Sequence, residues 1–466
     1  MQRPVPSEER LRGRRAIVIG GSMAGLLAAR VLSDHFEEVL LVERDKLSDS
    51  TDARKGVPQG RQLHAMLRRG VDILDELFPD LIAALIAGGG QEIDVGANFR
   101  WYHFGVQKVR FQSGITAIST TRTFLEREVR RRVLALEAVR CLDDRDVIGL
   151  TASEDRSRIS GVRLKRRSGE DASAEEELLG DLIVDAAGRG AVTPKWLEQL
   201  GYGVTEESTY KLDVGYATRL YRRPGDATVP PEVIFVIGQA PESRRAGLIF
   251  PVEDGQWIAL VCGMLGDHPP SDPEGYLEFA RSLPNDAIYE VIKGAEPLSD
   301  VTSYNFRSNR RRHYEKLERF PDGLAVVGDA LCSFNPIYGQ GMTTAGLVAL
   351  ALDRCLRDQR RNHGGSILGL SRRFQADAAR VTEAPWMMAA TEDFRYPEVI
   401  GRRPFGHSIM EWYLGRVHQV VARDKTVALC FLRVMHMLDP LTALLAPTMM
   451  ARVLAGGFPR APSARS

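Results

Sequence analysis

Apolar and polar residues follow distinct patterns along the chain, and each pattern predicts a different element. Short apolar runs at residues 16–20, 39–43, 182–186 and 324–327 predict buried strands, and residues 26–34 have a helical pattern. A strand, a helix and a second strand within about thirty residues form the unit from which parallel sheets are built. Because the two later runs each end in a glycine-containing turn, we expect them to join the same sheet.

A second group of segments alternates between apolar and polar positions and carries aromatic side chains. These segments are residues 99–111, 215–221, 233–237 and 247–264. The last contains a turn at Glu253-Asp254-Gly255, which predicts a hairpin. Such segments predict a separate sheet, antiparallel and half-buried. From Met342 onward the pattern is mostly helical.

Net charge, cysteine spacing and apolar content indicate which partners and which cellular environment to expect. The chain has 466 residues and a net charge of +1 at pH 7, so charge does not favour a nucleic-acid partner. Five cysteines lie far apart without a Cys-x-x-Cys pair, which indicates reduced thiols in a cytoplasmic protein. Residues 426–454 are apolar but contain prolines and charges, so we expect no transmembrane segment. We interpret them as an amphipathic helical cover, with contact to a membrane surface as the alternative.

The first apolar strand runs into a glycine-rich turn, and residues 16–25 read AIVIGGSMAG. The frame is that of the dinucleotide fingerprint Gly-x-Gly-x-x-Gly, with Ser22 in the place of the middle glycine. Gly20 permits the sharp turn, and Gly25 lets the helix pack closely on the strand. The amides of this turn would face a pyrophosphate, where the helix dipole favours negative charge.

Glu43 ends the second strand, about twenty residues after the turn, where an acid reaches the ribose of an adenosine. A carboxylate here accepts hydrogen bonds from ribose hydroxyls and repels a ribose phosphate, which favours FAD or NAD over NADP in this site. The alternative is a solvated acid at a strand end. Strand, turn, helix and acid together predict nucleotide binding.

A second glycine-rich helix start lies late in the chain. Residues 328–330 (GDA) follow the last apolar strand, and residues 336–342 (PIYGQGM) open an alanine-rich helix. One pyrophosphate needs only one glycine turn, so a second turn preceded by an acid suits a longer ligand with a polyol and a ring, such as FAD. Asp329 would bind the ribityl hydroxyls, and the amides near Gly341 and Met342 would stabilise negative charge on the reduced flavin. A helix-capping loop is the alternative.

The two fingerprints, separated by the alternating strands, predict the fold class and the domains. The fold class is α/β: a discontinuous Rossmann-like FAD-binding domain, an inserted and mostly antiparallel substrate domain, and a helical C-terminal region. The FAD-binding domain is predicted from residues 12–75, 116–205 and 300–370, the substrate-binding domain from 76–115 and 206–299, and the helical region from 371–466.

With these two glycine-rich turns, the chain resembles the FAD-dependent monooxygenases of the para-hydroxybenzoate hydroxylase type. Within them it looks closest to the bacterial polyether epoxidases that act on polyketide polyenes. The resemblance covers nearly the whole chain and is carried by residues 20–25, Glu43 with Arg44, residues 54–64 (RKGVPQGRQLH), 121–126 (TRTFLE), 185–189 (DAAGR) and 328–342.

The resemblance implies that Arg54 and Arg122 contact the cofactor, because a guanidinium supplies several donors to phosphate or ribose oxygens. For Arg122 the alternative is a solvated residue at a helix start. The residues predicted to bind FAD are Gly20, Ser22, Met23, Ala24, Gly25, Glu43, Arg44, Arg54, Arg122, Asp329, Pro336, Gly339, Gly341 and Met342.

The chain departs from the hydroxylase pattern at residues 185–190 (DAAGRG), where the acid stands two residues earlier than usual. That motif contributes to FAD and NADPH contacts in the family. The expected electron source is therefore either NAD(P)H or a separate flavin reductase. Cys332 stands where many relatives carry His, and we interpret it as a small buried residue. His64 is interpreted as structural rather than catalytic.

The resemblance implies that reduced FAD reacts with O2 at its C4a position and that the hydroperoxide transfers one oxygen atom to the substrate. The expected substrate is a small, largely apolar molecule of natural-product type, converted to an epoxide or an alcohol. Because the cofactor performs the chemistry, no catalytic side chain and no metal ligand is assigned. The predicted pocket residues are Trp101, Phe111, Phe235, Phe250 and Trp257, with plain core packing as the alternative.

Three other functions stay open. A flavin-dependent halogenase shares the FAD frame, but its Trp-x-Trp-x-Ile-Pro motif is missing and residues 68–94 contain no lysine. A flavin reductase or dehydrogenase acting on isoprenoid double bonds would form its product without O2. A non-catalytic flavin or nucleotide binder is the third, and its flavin would never be reduced by NAD(P)H, dithionite or a partner.

Overall fold

The computed structural model describes residues 14–48, 54, 56–169, 174–224 and 232–456. Lys55 and the predicted outer domain limits at residues 12 and 466 lie outside the described residues. The strands, numbered in chain order, are β1 (Arg15–Ile19), β2 (Glu38–Val42), β3 (Gln91–Asp94), β4 (Phe99–His103), β5 (Val106–Gln107), β6 (Thr116–Ser119), β7 (Val139–Leu142), β8 (Arg145–Ala152), β9 (Ile159–Arg166), β10 (Glu175–Leu179), β11 (Leu182–Asp185), β12 (Glu207–Arg222), β13 (Val233–Ile237), β14 (Arg245–Val252), β15 (Gln256–Gly263), β16 (Thr302–Arg312), β17 (Leu324–Val326) and β18 (Cys332–Ser333). The α-helices are α1 (Met23–Leu32), α2 (Arg68–Leu77), α3 (Leu81–Ala87), α4 (Arg122–Leu134), α5 (Thr193–Gln199), α6 (Pro273–Arg281), α7 (Ala287–Ile292), α8 (Gly341–Asn362), α9 (Leu370–Asp393), α10 (His407–Val420), α11 (Lys425–Met435) and α12 (Pro447–Gly456).

The predicted parallel sheet is present, with strand order β17-β11-β1-β2-β7 and parallel pairing throughout. Its strands are apolar because helices cover the sheet, and every residue of β11 and β17 is buried. The register pairs Ile19 with both Asp185 and Val42, and Asp185 with Val326. The turns that follow β1, β2, β11 and β17 therefore meet at one edge of the sheet.

The alternating segments form a second sheet with the order β18-β16-β12-β15-β14-β13-β4-β5. Its pairs are antiparallel except for β4 and β13, which run parallel. The prediction that residues 99–111 join an antiparallel sheet is wrong for that pair. β4 and β13 are connected through a long crossover that includes part of the parallel sheet, and only such a crossover allows parallel neighbours.

Side chains alternate between the two faces of this second sheet, and the faces have different partners. One face carries Ala217, Val261 and Ile249, which pack with α6 and α7 into a separate core cluster. The opposite face carries Leu248 and Phe235, which register against each other on β14 and β13. This second face lines the cavities described below.

The C-terminal region is helical as predicted, and α10, α11 and α12 form a core cluster with the edge of the second sheet. Val417, Val427 and Val453 are the fully buried residues of these three helices, and Trp101 of β4 packs into the same cluster. Among the described residues, no helix is long and apolar enough to cross a lipid bilayer. The α/β fold class is thus confirmed, whereas the domain boundaries stay a prediction.

Candidate functional site

A cavity of about 590 Å³ lies where the turns of the parallel sheet meet. It is lined by the turn after β1, the end of β2, the turn after β11, and the loop before α8. The predicted cofactor residues in its wall are Gly20, Ser22, Met23, Ala24, Glu43, Arg44, Arg122, Asp329, Pro336, Gly339, Gly341 and Met342. Gly25 and Arg54 do not line the cavity; they lie behind it. Two sequence patterns about 300 residues apart therefore converge on one cavity of the size that binds cofactors.

The turn after β1 needs both of its predicted glycines. Gly20 has a φ of +101°, and a Cβ there would come 2.6 Å from the carbonyl oxygen of Ala186 in the turn after β11. A Cβ on Gly25 would lie 1.8 Å from the carbonyl oxygen of Gly20. Such distances cannot occur between real atoms, so glycine alone lets α1 pack against this turn.

A buried ionic network supports the first turn from behind. The Glu43 carboxylate accepts a hydrogen bond from the Gly21 amide at 2.7 Å and lies 3.1 Å from Nη1 of Arg54. Arg54 also pairs with Glu126 of α4. Glu43 was predicted to bind a ribose, and here its carboxylate already holds the turn in place. Arg54 acts on the cavity through Glu43 and Glu126 rather than from its wall.

Glu126 and Arg122 complete this network one helical turn apart on α4. Nη2 of Arg122 lies 2.7 Å from the Glu126 carboxylate and 3.0 Å from the hydroxyl of Ser22. The Ser22 hydroxyl donates to Glu126 at 2.9 Å. Burial raises the pKa of Glu126, but Arg122 and Arg54 outweigh it and hold that pKa below its usual value. Sequence reasoning assigned no role to Glu126, although its i,i+4 spacing from Arg122 was a usable signal.

Asp329 faces the cavity from the turn after β17. Burial raises the pKa of Asp329, while Arg189, Arg122 and Arg310 act in the opposite direction. Among the described residues no donor is within hydrogen-bond distance of its carboxylate. An acceptor is thus left for a ligand's hydroxyl groups.

Asp185 has a different environment, although it also borders the cavity. Its carboxylate accepts hydrogen bonds from the Ala187 amide at 2.9 Å and the Thr193 hydroxyl at 2.6 Å. Arg189 donates to the Ser333 hydroxyl at 2.7 Å and to the Ser308 carbonyl at 2.9 Å. The acid and the arginine of the unusual DAAGRG motif are therefore both used to shape the turn.

The cavity fits a flavin dinucleotide in two independent respects. Nη1 of Arg122 is buried and has no hydrogen-bond partner among the described residues, so it can donate to an oxygen of a ligand. Gly188, Gly190 and Gly341 line the cavity, and an added Cβ at each would meet nothing within 4 Å, so a ligand can approach the backbone closely there. Gly341 begins α8, whose first amides have no partner within the helix and favour negative charge.

A second cavity of about 370 Å³ adjoins the first and is mostly apolar. Three of the residues predicted to line a substrate pocket are in its wall, namely Trp101, Phe235 and Phe250. Trp101 and Phe235 stack with ring centroids 5.5 Å apart. Phe111 and Trp257 are not among its described lining residues. Trp257 is three positions from Leu260, so strand alternation places it on the opposite sheet face with the α6–α7 cluster. Phe111 follows β5 and packs on the C-terminal cluster.

The two cavities share part of their walls. The shared residues are His64, Ala65, Leu248, Ile337 and Gly339. His64 was interpreted as structural, and its Nδ1 lies 2.9 Å from the Gln62 carbonyl oxygen. Burial lowers the pKa of His64 to about 4, so its ring is neutral at physiological pH. Cys332 is buried as expected, and burial raises the pKa of its thiol well above the usual value.

A fully buried carboxylate organises the loop at the shared wall. Asp393 accepts hydrogen bonds from the Tyr338 hydroxyl at 2.7 Å and from the Asn335 amide at 3.0 Å. Asn309 and Tyr210 donate to its other oxygen at 3.0 and 3.1 Å. Sequence reasoning missed this group entirely, because no short-range pattern links partners that lie on β12, β16, α9 and the loop before α8.

Comparisons with known proteins agree with this architecture. The chain is 33% identical over 452 residues to protein Rv3254 of Mycobacterium tuberculosis (strain ATCC 25618 / H37Rv), and the match covers 94% of this chain and 93% of Rv3254. The chain belongs to the family of Rv3254. No protein-family model matches this Rv3254-family chain.

Solved structures resemble the Rv3254-family chain in fold. A flavoprotein/dehydrogenase from Cytophaga hutchinsonii has a TM-score of 0.67 at 15% identity, covering 95% of this chain and 98% of its own. PqsL of Pseudomonas aeruginosa, a probable FAD-dependent monooxygenase, has a TM-score of 0.58 at 17% identity, covering 82% and 98%. The flavin-dependent brominase Bmp2 has a TM-score of 0.64 at 13% identity, covering 94% and 98%. At these identities the likeness concerns the fold alone, which this chain shares with these three flavoproteins.

Proposed function

We propose that this protein is an FAD-dependent monooxygenase that transfers one oxygen atom of O2 to a small, largely apolar organic substrate. The observation that carries the proposal is the shared wall between a cavity with two glycine turns and an apolar cavity with aromatic lining. The second oxygen atom leaves as water, and the two electrons come from NAD(P)H or from a separate reductase. A flavoprotein of the para-hydroxybenzoate hydroxylase type, close to the polyether epoxidases, fits this arrangement.

FAD would lie in the first cavity and supply the redox chemistry with O2. The amides of the turn after β1 and the guanidinium of Arg122 would bind its phosphates. Asp329 would accept hydrogen bonds from its ribityl chain. The first amides of α8, at Gly341 and Met342, would face the flavin and favour negative charge on the reduced ring. Trp101, Phe235 and Phe250 would hold the substrate and exclude water.

Halogenation is the second candidate, because Bmp2 shares the fold. Halogenases carry a lysine that captures hypohalous acid. None of the described residues that line the two cavities is a lysine. Lys108 is buried nearby, but its ammonium donates to the carbonyl oxygens of His103 and His418 at 3.4 and 2.6 Å. These contacts favour oxygen transfer over halogenation.

The test is a single-turnover experiment on the flavin-loaded protein. The flavin is reduced without air, a candidate polyene or aromatic substrate is added, and isotopically labelled O2 is admitted with and without bromide. We expect a product heavier by one labelled oxygen atom, independent of halide. A brominated product would establish the halogenase, and a product without added oxygen that also forms when O2 is left out would establish a dehydrogenase or reductase. Reduction by NADH, by NADPH and by a flavin reductase, compared in parallel, identifies the electron source.

A further inference from the structure

The second cavity has a polar end that the proposed oxygen transfer does not use. Along the shared sheet face, Leu248 of the common wall registers with Phe235, and Phe235 registers with Trp101. Two strand spacings separate Leu248 from Trp101, a distance of about 10 Å. His103 lies two residues beyond Trp101 on the same face and meets His418 of α10, with ring centroids 4.5 Å apart. This polar end is therefore remote from the first cavity.

Several buried nitrogen atoms at the polar end have no hydrogen-bond partner among the described residues. Nε1 of Trp101 and Nδ1 of both His103 and His418 are buried without a hydrogen bond among the described residues. All three residues line the cavity. Arg395 also lines it, and its Nε and Nη2 donate to the Glu392 carboxylate at 2.8 and 3.2 Å, which leaves Nη1 without a described partner. The indole N–H of Trp101 can only donate, and an unpaired buried donor is costly, so this end of the cavity points to a ligand that accepts hydrogen bonds.

The charges at the polar end are unbalanced. The charged groups that act on His103 are Glu392, Lys108 and Arg395. Both histidine rings are neutral at physiological pH, because burial lowers the pKa of His418 to about 4 and that of His103 well below its usual value. Arg395 and the protonated form of Lys108 therefore face one carboxylate, that of Glu392. Burial lowers the pKa of Lys108 to about 7, since among the described residues its ammonium contacts carbonyl oxygens but no carboxylate.

We propose that the polar end of the second cavity binds a carboxylate on the substrate, with Trp101 and Arg395 as hydrogen-bond donors and Lys108 as a supporting positive charge. The substrate class is thus an apolar chain or ring system with one terminal carboxylate. This inference rests on the proposed function. The two ends of the second cavity are two strand spacings apart, so a substrate anchored by its carboxylate would place carbon atoms about 10 Å from that carboxylate at the first cavity. The polar end then determines which carbon is oxidised.

Binding to the oxidised, flavin-loaded protein tests the anchor without any turnover. The probes are undecenoate, whose double bond is at the end opposite the carboxylate, its methyl ester, and the corresponding alcohol. We expect undecenoate to bind at least about tenfold more tightly than the ester, because charge-assisted hydrogen bonds add to the same apolar contacts. Equal affinity for acid and ester overturns the proposal.

Variants identify the donors. Trp101→Phe keeps most of the ring and removes the Nε1 donor, so it should weaken binding of the acid severalfold and leave the ester unchanged. Trp257→Phe on the opposite sheet face is the matched control and should change neither. Because the pKa of Lys108 is about 7, we expect the preference of the wild type for the acid to fall as the pH rises above 7 and the ammonium loses its charge. Lys108→Met should reduce the preference and abolish this dependence on pH. An equal loss for acid and ester in Trp101→Phe would assign this tryptophan to packing and contradict the proposed contact.

These experiments distinguish a failure of the proposed carboxylate anchor from a failure of the proposed oxygen transfer. A preference for the acid that vanishes in Trp101→Phe supports the anchor even when no product forms, and then it is the proposed function that fails. Oxidation of undecenoate at its terminal double bond, but not of the alcohol, supports both. Oxidation of acid and ester at the same carbon with equal affinity leaves the monooxygenase intact and removes the anchor.

Discussion

Asp329 is the residue whose chemistry points most directly to a polyol ligand. Its carboxylate faces the first cavity, and three arginines oppose the effect of burial on its pKa. Among the three arginines, Arg189 has the largest electrostatic effect on the pKa of Asp329. Its guanidinium donates hydrogen bonds to Ser333 and Ser308, so it stabilises negative charge on Asp329 without a direct hydrogen bond. Burial still raises the pKa of Asp329 above its usual value. Because no described protein donor contacts its carboxylate, it is suited to accept hydrogen bonds from hydroxyl groups.

Asp329→Asn should weaken FAD binding by about tenfold or more. Each hydrogen bond to a charged group contributes about 1.5–3 kcal/mol, and about 1.4 kcal/mol corresponds to a tenfold change in affinity. The measurement is equilibrium titration of the apoprotein with FAD. Asp353→Asn is the matched control, because Asp353 of α8 is not among the described residues that line the cavity and pairs with His35, which follows α1. Equal affinity of wild type and Asp329→Asn would remove Asp329 from the flavin site.

Asp393 illustrates a buried acid with a positioning role. Its four donors include Asn335 and Tyr338 of the loop between the two cavities. In Asp393→Asn the new amide would place a donor against existing donors, so buried groups would lose their partners. We expect a loss of about 1–3 kcal/mol in the free energy of unfolding, measured with urea. Asp377→Asn on the same helix, where the carboxylate is paired with exposed Arg380, should lose less. Equal losses in the two variants would show that the buried hydrogen bonds of Asp393 contribute no more to the free energy of unfolding than the exposed ion pair of Asp377.

At the scale of the element, the unit β1–turn–α1 depends on close backbone approach. Gly25→Ala should destabilise it by roughly 3 kcal/mol and abolish flavin retention, because a Cβ would lie 1.8 Å from the Gly20 carbonyl oxygen and α1 must move. Thermal unfolding and the flavin-to-protein absorbance ratio measure both effects. Gly294→Ala, where a Cβ meets nothing within 4 Å, should be neutral. A fully flavinated Gly25→Ala protein would contradict the packing argument.

Elements with local signals were predictable from the sequence, and elements defined by distant partners were not. The glycine turns and apolar runs located β1, β2, β11 and β17, although α1 begins at Met23, three residues before the predicted start. Alternation also identified the second sheet, but an aromatic residue in a strand does not reveal which face is the inner one. Trp257 was therefore assigned to the wrong face, whereas Phe235 and Phe250 lie on the cavity face.

The same distinction between local and long-range signals applies to the residues of the candidate site. Gly20, Asp329 and Gly341 were found because their chemistry lies in short motifs. Asp393 was missed because its donors are 55 to 183 residues away along the chain. The pair His103 and His418 was missed because it joins β4 to a C-terminal helix. Long-range packing, which no local pattern encodes, decides these contacts.

At the scale of the whole molecule, a single sheet face connects the two cavities. Tyr216 and Leu260 lie on the first cavity, Leu248 on both, and Phe235 and Trp101 on the second. The C-terminal helices close the far side of the second cavity through Phe431 and His418, and so complete a pocket that the sheet alone leaves open. Any change of the shared wall should therefore alter how the reaction in one cavity is coupled to the substrate in the other.

Leu248→Ala should uncouple oxygen consumption from product formation. Removing the side chain widens the passage between the cavities and admits water, so a larger share of the O2 consumed should end as hydrogen peroxide. The fold should lose about 2–5 kcal/mol of stability from the cavity created. Ile249→Ala is the matched control: its side chain is equally buried on the same strand but faces the α6–α7 cluster, so it should cost similar stability and leave coupling unchanged. If both variants uncouple equally, loosening of the fold explains the effect; if only Leu248→Ala does, the shared wall is the barrier that keeps water from the reaction.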